Sequence, residues 1–183
     1  MKKVLSVLLI SIVLAFCASA LYLNINLGVV SGVGVSHDAG SWQFGLDLES
    51  SFPVFSTFNA IMAQKYEDAE FGEGFRIGSL YFFGADIYAY YRIAGNDDLA
   101  LLAGLDIMTG TETMIKSFET VLRPTVKFSG RIGERVSLFL AAGFSLLDIM
   151  YAPGFEKPLV RIPDQNYMSI LTGCRLGAAV RLD

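Results

Sequence analysis

From Leu21 onward the apolar residues of this chain recur at every second position, and no run of them reaches the roughly 18 residues a membrane-spanning helix needs. Leu21, Leu23, Ile25, Leu27 and Val29 fall on odd numbers, with Tyr22, Asn24, Asn26 and Gly28 between them. Trp42, Phe44, Leu46 and Leu48 alternate with Gln43, Gly45, Asp47 and Glu49. Phe83, Ala85, Ile87, Ala89, Tyr91 and Ile93 do the same against Gly84, Asp86, Tyr88, Tyr90 and Arg92. The pattern returns from Leu99 to Ile107, Leu122 to Ile132, Val136 to Leu146 and Met168 to Leu182. Successive side chains of a strand point to opposite faces, so a period of two is the strand period. Segments of about ten to sixteen residues are long for ordinary strands. They suit strands that cross a bilayer at a tilt.

Residues 1–20 form a separate object. Lys2 and Lys3 precede an apolar run from Val4 to Phe16, and Ala18-Ser19-Ala20 is a small-residue cleavage site. This is the pattern of a secretory signal peptide, too short to span as a helix. Lipidation at Cys17 is the rival, disfavoured by the bulky Phe16 before it. The expected organisation is therefore a cleaved segment 1–20 and one domain over 21–183. That domain holds one cysteine, Cys174, and one histidine, His37. An internal disulfide is excluded, and metal or acid–base chemistry has little to work with. No cofactor is expected.

Which face meets what decides between two kinds of barrel. A soluble barrel alternates too, but turns its apolar row inward and a charged row to water. Here the polar row carries Gly45, Gly84, Gly104, Gly143, Gly173 and Gly177 with Ser and Ala, and few charges. Small residues suit the lumen of a narrow barrel. Charged residues make up only 17% of the chain, against about 25% in a typical soluble domain. The other row is Leu, Ile, Val and Phe with no charge in mid-strand. Open to water it would form a very large apolar patch; against lipid it is the correct surface. Trp42, Tyr91 and Phe128 lie on it near strand ends, as an aromatic girdle does. Inward orientation of Leu46, Ile87 and Leu105 would instead make a soluble, ligand-carrying calyx.

The inner row places Asp47, Asp86, Asp106, Arg123 and Arg175 in mid-strand, with Glu49, Arg92, Glu119, Lys127, Arg131 and Arg181 toward the ends. Buried charges must be paired and hydrogen-bonded. The first five are expected to form an internal salt-bridge cluster that plugs and stiffens the barrel, with a proton or ion path as the alternative.

Seven segments are clear, at about 21–36, 41–50, 77–93, 99–109, 117–131, 135–149 and 167–182. A bacterial barrel needs an even number, and an eighth strand is placed at 54–64. Turn signals occur at 37–40, 94–98 and 132–134, and longer connections at 65–74, 109–116 and 151–166. With a strand at 54–64, the 37–40 turn becomes an external loop, opposite the other two short turns, although it looks like them.

The mature chain resembles, in architecture and pattern, the small eight-stranded outer-membrane barrels of the OmpX, OmpW and OmpA type. The class implies an all-β, closed, antiparallel up-and-down transmembrane barrel in the bacterial outer membrane. Its implied partners are outer-membrane lipid and the barrel assembly machinery. Members commonly finish on an aromatic residue, whereas this sequence finishes Val180-Arg181-Leu182-Asp183. The leading function is structural, displaying loops for adhesion or host contact, with no extracellular partner specified. A narrow channel or transporter for small or apolar solutes is the runner-up; a wide pore needs about sixteen strands. Enzymatic activity is not expected, since His37 with Ser36 and Asp38 is the sole hydrolase-like set and sequence neighbours rarely converge. A net charge of -4 offers no basic field for nucleic acid.

Overall fold

The computed structural model describes residues 20–51, 82–112, 117–162 and 173–182. The segment read as a signal peptide, apart from Ala20, and the segment 54–64 lie outside them. The described chain is all-β. Its strands are β1 (Leu21–Gly28), β2 (Ser31–Ala39), β3 (Trp42–Ser50), β4 (Phe82–Gly95), β5 (Leu99–Glu112), β6 (Ser117–Ile132), β7 (Val136–Gly143), β8 (Leu147–Tyr151), β9 (Leu159–Arg161) and β10 (Arg175–Arg181). Each of β1 to β6 pairs antiparallel with the next, β7 pairs with β10, and β10 returns to β1. Eight strands thus close an up-and-down barrel. β8 continues the line of β7 along β6, and β9 pairs with the other edge of β8.

All eight strands that close the barrel lie among the described residues, so closure does not call on the strand expected at 54–64. The eighth comes from within 21–36, which contains a hairpin with its tip at Val29 and Val30. The Ser31 hydroxyl closes this turn, donating to the Gly28 carbonyl at 3.0 Å and accepting from the Gly28 amide at 3.3 Å. One more chain reversal before residue 37 also corrects the placement of the next turn. The β2–β3 hairpin, at Gly40 and Ser41, lies at the same end as the β4–β5 and β6–β7 hairpins and as residues 20 and 182. All three hairpins carry a glycine in the left-handed region that other residues avoid: Gly40 at φ 64°, Gly95 at 95° and Gly133 at 83°. Backbone bonds stitch this rim, from Asp38 N to Ala20 O at 3.1 Å and from Leu182 N to Leu21 O at 2.9 Å.

Two further boundaries differ from expectation. Residues 109–112 belong to β5 rather than to a loop. Their threonines are β-branched strand formers, and the Thr109 and Thr120 hydroxyls pair across the strands at 3.1 Å. The segment 135–149 is interrupted between Gly143 and Leu147. Partners run Thr125 to Gly143 but Val121 to Asp148, so β7–β8 holds one extra residue, a β-bulge. The bulge shifts the parity and turns Asp148 into the interior, where strict alternation would have put it outside.

Before this bulge both rows go where the alternation sends them. The apolar row faces outward and is exposed, with Ile25, Leu46, Ile87, Leu105, Val126 and Leu138 near mid-strand. The inner row is buried and mostly polar. On the outer face, Trp42 stacks on Phe44 at 5.9 Å and meets Tyr91 edge-on at 5.2 Å near the short-turn end. Phe118 and Tyr151 pair at 6.5 Å at the other end.

Candidate functional site

The chemistry of this barrel is in its interior, which is layered along the axis. Glycines on the inner row make room for it. A Cβ on Gly45 would fall inside the Tyr88 ring, one on Gly177 inside the Phe139 ring, and one on Gly143 at 2.8 Å from Arg123 Cδ. The large inner side chains therefore lie flat over glycine backbone on the facing strands.

In the central layer Arg175, on the last strand, reaches three carboxylates. Its Nη1 donates to Glu49 Oε1 at 2.9 Å and to Asp86 Oδ2, and its Nη2 donates to Asp106 Oδ2. All three carboxylates are fully buried. Asp106 also accepts from Tyr90 Oη at 2.5 Å and from Thr125 Oγ1 at 2.8 Å. Asp47 is held by hydrogen bonds of its own: Asn26 Nδ2 donates to it at 2.9 Å and Tyr88 Oη at 3.5 Å. Asn24 Nδ2 donates to Tyr88 Oη at 2.8 Å, and Ser36 Oγ donates to Asn24 Oδ1 at 3.1 Å. Hydrogen bonds from hydroxyls and amides supplement the one guanidinium, as buried carboxylates require.

Of the five residues expected to cluster, Asp86, Asp106 and Arg175 meet directly, while Asp47 sits in a neighbouring hydrogen-bond set with Asn26 and Tyr88, whose ring stacks on Tyr90 of the Arg175 layer. Arg123 does not pair with the aspartates. It is 1% exposed, its Nη2 lies 3.7 Å from the Met108 sulfur, and no described carboxylate lies within ion-pair distance of it. Glu49 takes the place expected for a third aspartate on Arg175. Its signal in the sequence was its inner-row parity, two positions beyond Asp47. Tyr88, Tyr90 and Phe139 share that parity, and tyrosine and phenylalanine on a row of glycines is the mark of ring-over-backbone packing.

Toward the short-turn end the next layer is Lys127. It is 4% exposed, donates to Gln43 Oε1 at 2.7 Å and lies 4.2 Å from the centre of the Phe139 ring. The stacked rings of Tyr88 and Tyr90, 4.9 Å apart, stand at 5.8 and 5.7 Å from it. Such cation–π contacts are worth about 2 kcal/mol when desolvated. Between Lys127 and the Arg175 layer the void is about 10 Å³, roughly one water. On the other side of Lys127 a vestibule of about 300 Å³ opens at the short-turn rim. There Arg92 pairs with Asp97 at 2.7 Å and Arg131 with Asp98 at 3.4 Å. The Arg92 hydrogen bond, then its charge, holds the exposed Asp97 carboxyl below its usual range.

At the opposite end Val30, Phe82, Met108 and Val121 form an apolar cluster above Arg123. Beyond it, Phe155, Val160 and Ile162 are exposed. His37, expected in a turn, is in β2. Its register partners Leu21 and Phe44 place it on the outer row, where it is buried, while Ser36 and Asp38 are on the inner row. Cys174 is a free thiol. Among the described residues, no group of three or more His, Cys, Asp or Glu is arranged to hold a metal ion. No protein-family model matches the chain, and no curated protein is significantly similar to it.

Proposed function

We propose that this chain is a bacterial outer-membrane β-barrel that spans the bilayer with its eight strands, stiffens the envelope and displays its long connections on the outside. The observation that carries the proposal is the inversion of its two faces. The wall exposes Leu, Ile, Val and Phe around the barrel, while Asp, Glu, Arg, Lys and Asn are buried within. Water would be the wrong solvent for such a wall; lipid is the right one. Aromatic rings near both ends support the reading. Tyr91 and Phe83, eight positions apart on β4, are roughly 27 Å apart along the strand at about 3.4 Å per residue. At a tilt of about 40° that is roughly 20 Å along the axis, near the height of an outer-membrane apolar band. Outer-membrane lipid and the barrel assembly machinery are the partners this implies. The filled central layer favours a structural barrel over an open pore. We assign no catalytic role, since Ser36 and Asp38 point away from His37 across the wall.

A narrow channel is the second reading, favoured by the vestibule that leads to Lys127. Rearrangement of the Lys127 and Arg175 layers would then be needed for conduction.

Membrane fractionation of the native host, followed by gel electrophoresis of boiled and unboiled samples, tests the proposal. A heat-dependent mobility shift confined to the outer-membrane fraction is expected. A soluble periplasmic protein without a shift would sink it. Conductance in planar bilayers separates the two membrane readings: the structural barrel stays silent.

A further inference from the structure

The vestibule at the short-turn end has the makings of a binding site, which goes beyond the role proposed above and does not depend on the bilayer. Its volume of about 300 Å³ is at the lower end for small-molecule pockets. Its floor is closed by Lys127 and the rings around it, with little void beyond. It is a blind pocket open to one side. Among the described residues that line it, Arg92, Lys127, Arg131 and Arg181 stand against the carboxylates of Asp38 and Asp97. Hydroxyls of Ser41, Ser129 and Ser137 supply neutral donors.

The pairing of these cations is uneven. Lys127 is buried, and it donates to a neutral amide oxygen, that of Gln43, whose side chain is itself committed to Asp38 at 2.8 Å. Ion pairs at the rim use Asp97 and Asp98, whose side chains are 72% and 76% exposed. Exposed pairs of this kind hold little free energy, so Arg92 and Arg131 can turn to a ligand at low cost. A buried ammonium at the floor and two redirectable guanidinium groups at the mouth converge on the same enclosed space. We infer that the vestibule binds a small anionic solute carrying carboxylate or phosphate groups, with Lys127 at its inner end and Arg92 and Arg131 closing on its outer end.

Trp42 is at the rim of this cavity, but its ring lies on the outer face against Phe44 and Tyr91, so occupancy is read by isothermal titration calorimetry. The full chain, folded in detergent micelles, is titrated with citrate and separately with inorganic phosphate, at ionic strength held constant with sodium chloride. A saturable change with one or both anions is expected; the arm that responds identifies the source of the charge. Arg131→Gln should weaken binding roughly threefold and Lys127→Gln more, while Asp38→Asn, which removes a competing carboxylate, should tighten it by a similar factor. Gel mobility of the same samples certifies the folded barrel, and Arg131→Gln and Asp38→Asn carry the test if Lys127→Gln does not fold. Absence of saturation with both anions in a barrel that still shifts on the gel overturns the inference and leaves the membrane proposal standing. Binding that ignores all three substitutions overturns it as well.

Discussion

The outer wall and the barrel interior are made by the same strands, one residue out of phase, yet they answer to different physics. The wall is redundant: Leu46, Ile87, Leu105 and Leu138 do the same job, and each contributes apolar area alone. The interior is specific. Arg175 touches Glu49, Asp86, Asp106 and Tyr90, and each partner depends on the others being in place. A wall of interchangeable residues can tolerate drift, whereas a buried charge cluster fails when one member is removed, because the remaining charges stay desolvated.

The largest effect is therefore expected inside. Arg175→Met leaves three buried carboxylates without their shared cation and should cost about 3–5 kcal/mol in urea unfolding followed by Trp42 emission. Arg123→Met, at an equally buried arginine that pairs with no described carboxylate, should cost less than half as much. Equal losses at the two sites would break the distinction drawn between them.

On the wall, Leu105→Arg should cost about 2–4 kcal/mol for the barrel folded in lipid vesicles, the penalty for a charge near the midplane. Because Leu105 already faces outward, a barrel surrounded by water would accept the arginine almost freely. This substitution thus separates lipid from water at the wall. A smaller contrast concerns size. Gly45→Ala and Gly177→Ala push a methyl into the Tyr88 and Phe139 rings and should cost about 1–3 kcal/mol. Ala142→Val, on the exposed outer row, should change stability little.

The smallest effect belongs to the rim, where neither lipid nor burial amplifies charge. The folded-state value of Asp97 is depressed below 3.8 by Arg92. Its contribution is complete above the ordinary aspartate range and is lost as pH falls through the lower folded value. Being solvent-exposed, the pair should show as a lowered Asp97 titration by NMR, moved back up in Arg92→Gln, with almost no change in unfolding midpoint.

Much of this was legible in the chain. Alternation assigned nearly every residue to its row, because a strand's period is fixed by the backbone. The exception, Asp148, lies beyond a bulge, and a single inserted residue reverses parity without any composition signal. The hairpin inside 21–36 was invisible for a related reason. Leu23 faces Val35 and Ile25 faces Val33, so odd positions stay outside on both strands and the alternation runs through the turn unbroken. Val29 and Val30 give no turn signal either. At the next hairpin the outward row passes from odd to even numbers, and the break is plain to read.

By itself the sequence determined that the chain folds into strands, which side chains share a face, and that one face is apolar throughout while the other mixes glycine with charge. These follow from a two-residue repeat that local geometry imposes. Only the tertiary structure decided that Glu49, and not Asp47, takes a direct bond from Arg175, that Arg123 stands apart from the aspartates, and that Lys127 floors a pocket among three rings. Which inner residues meet across a closed barrel depends on strand order and register, and these are set by where the chain reverses.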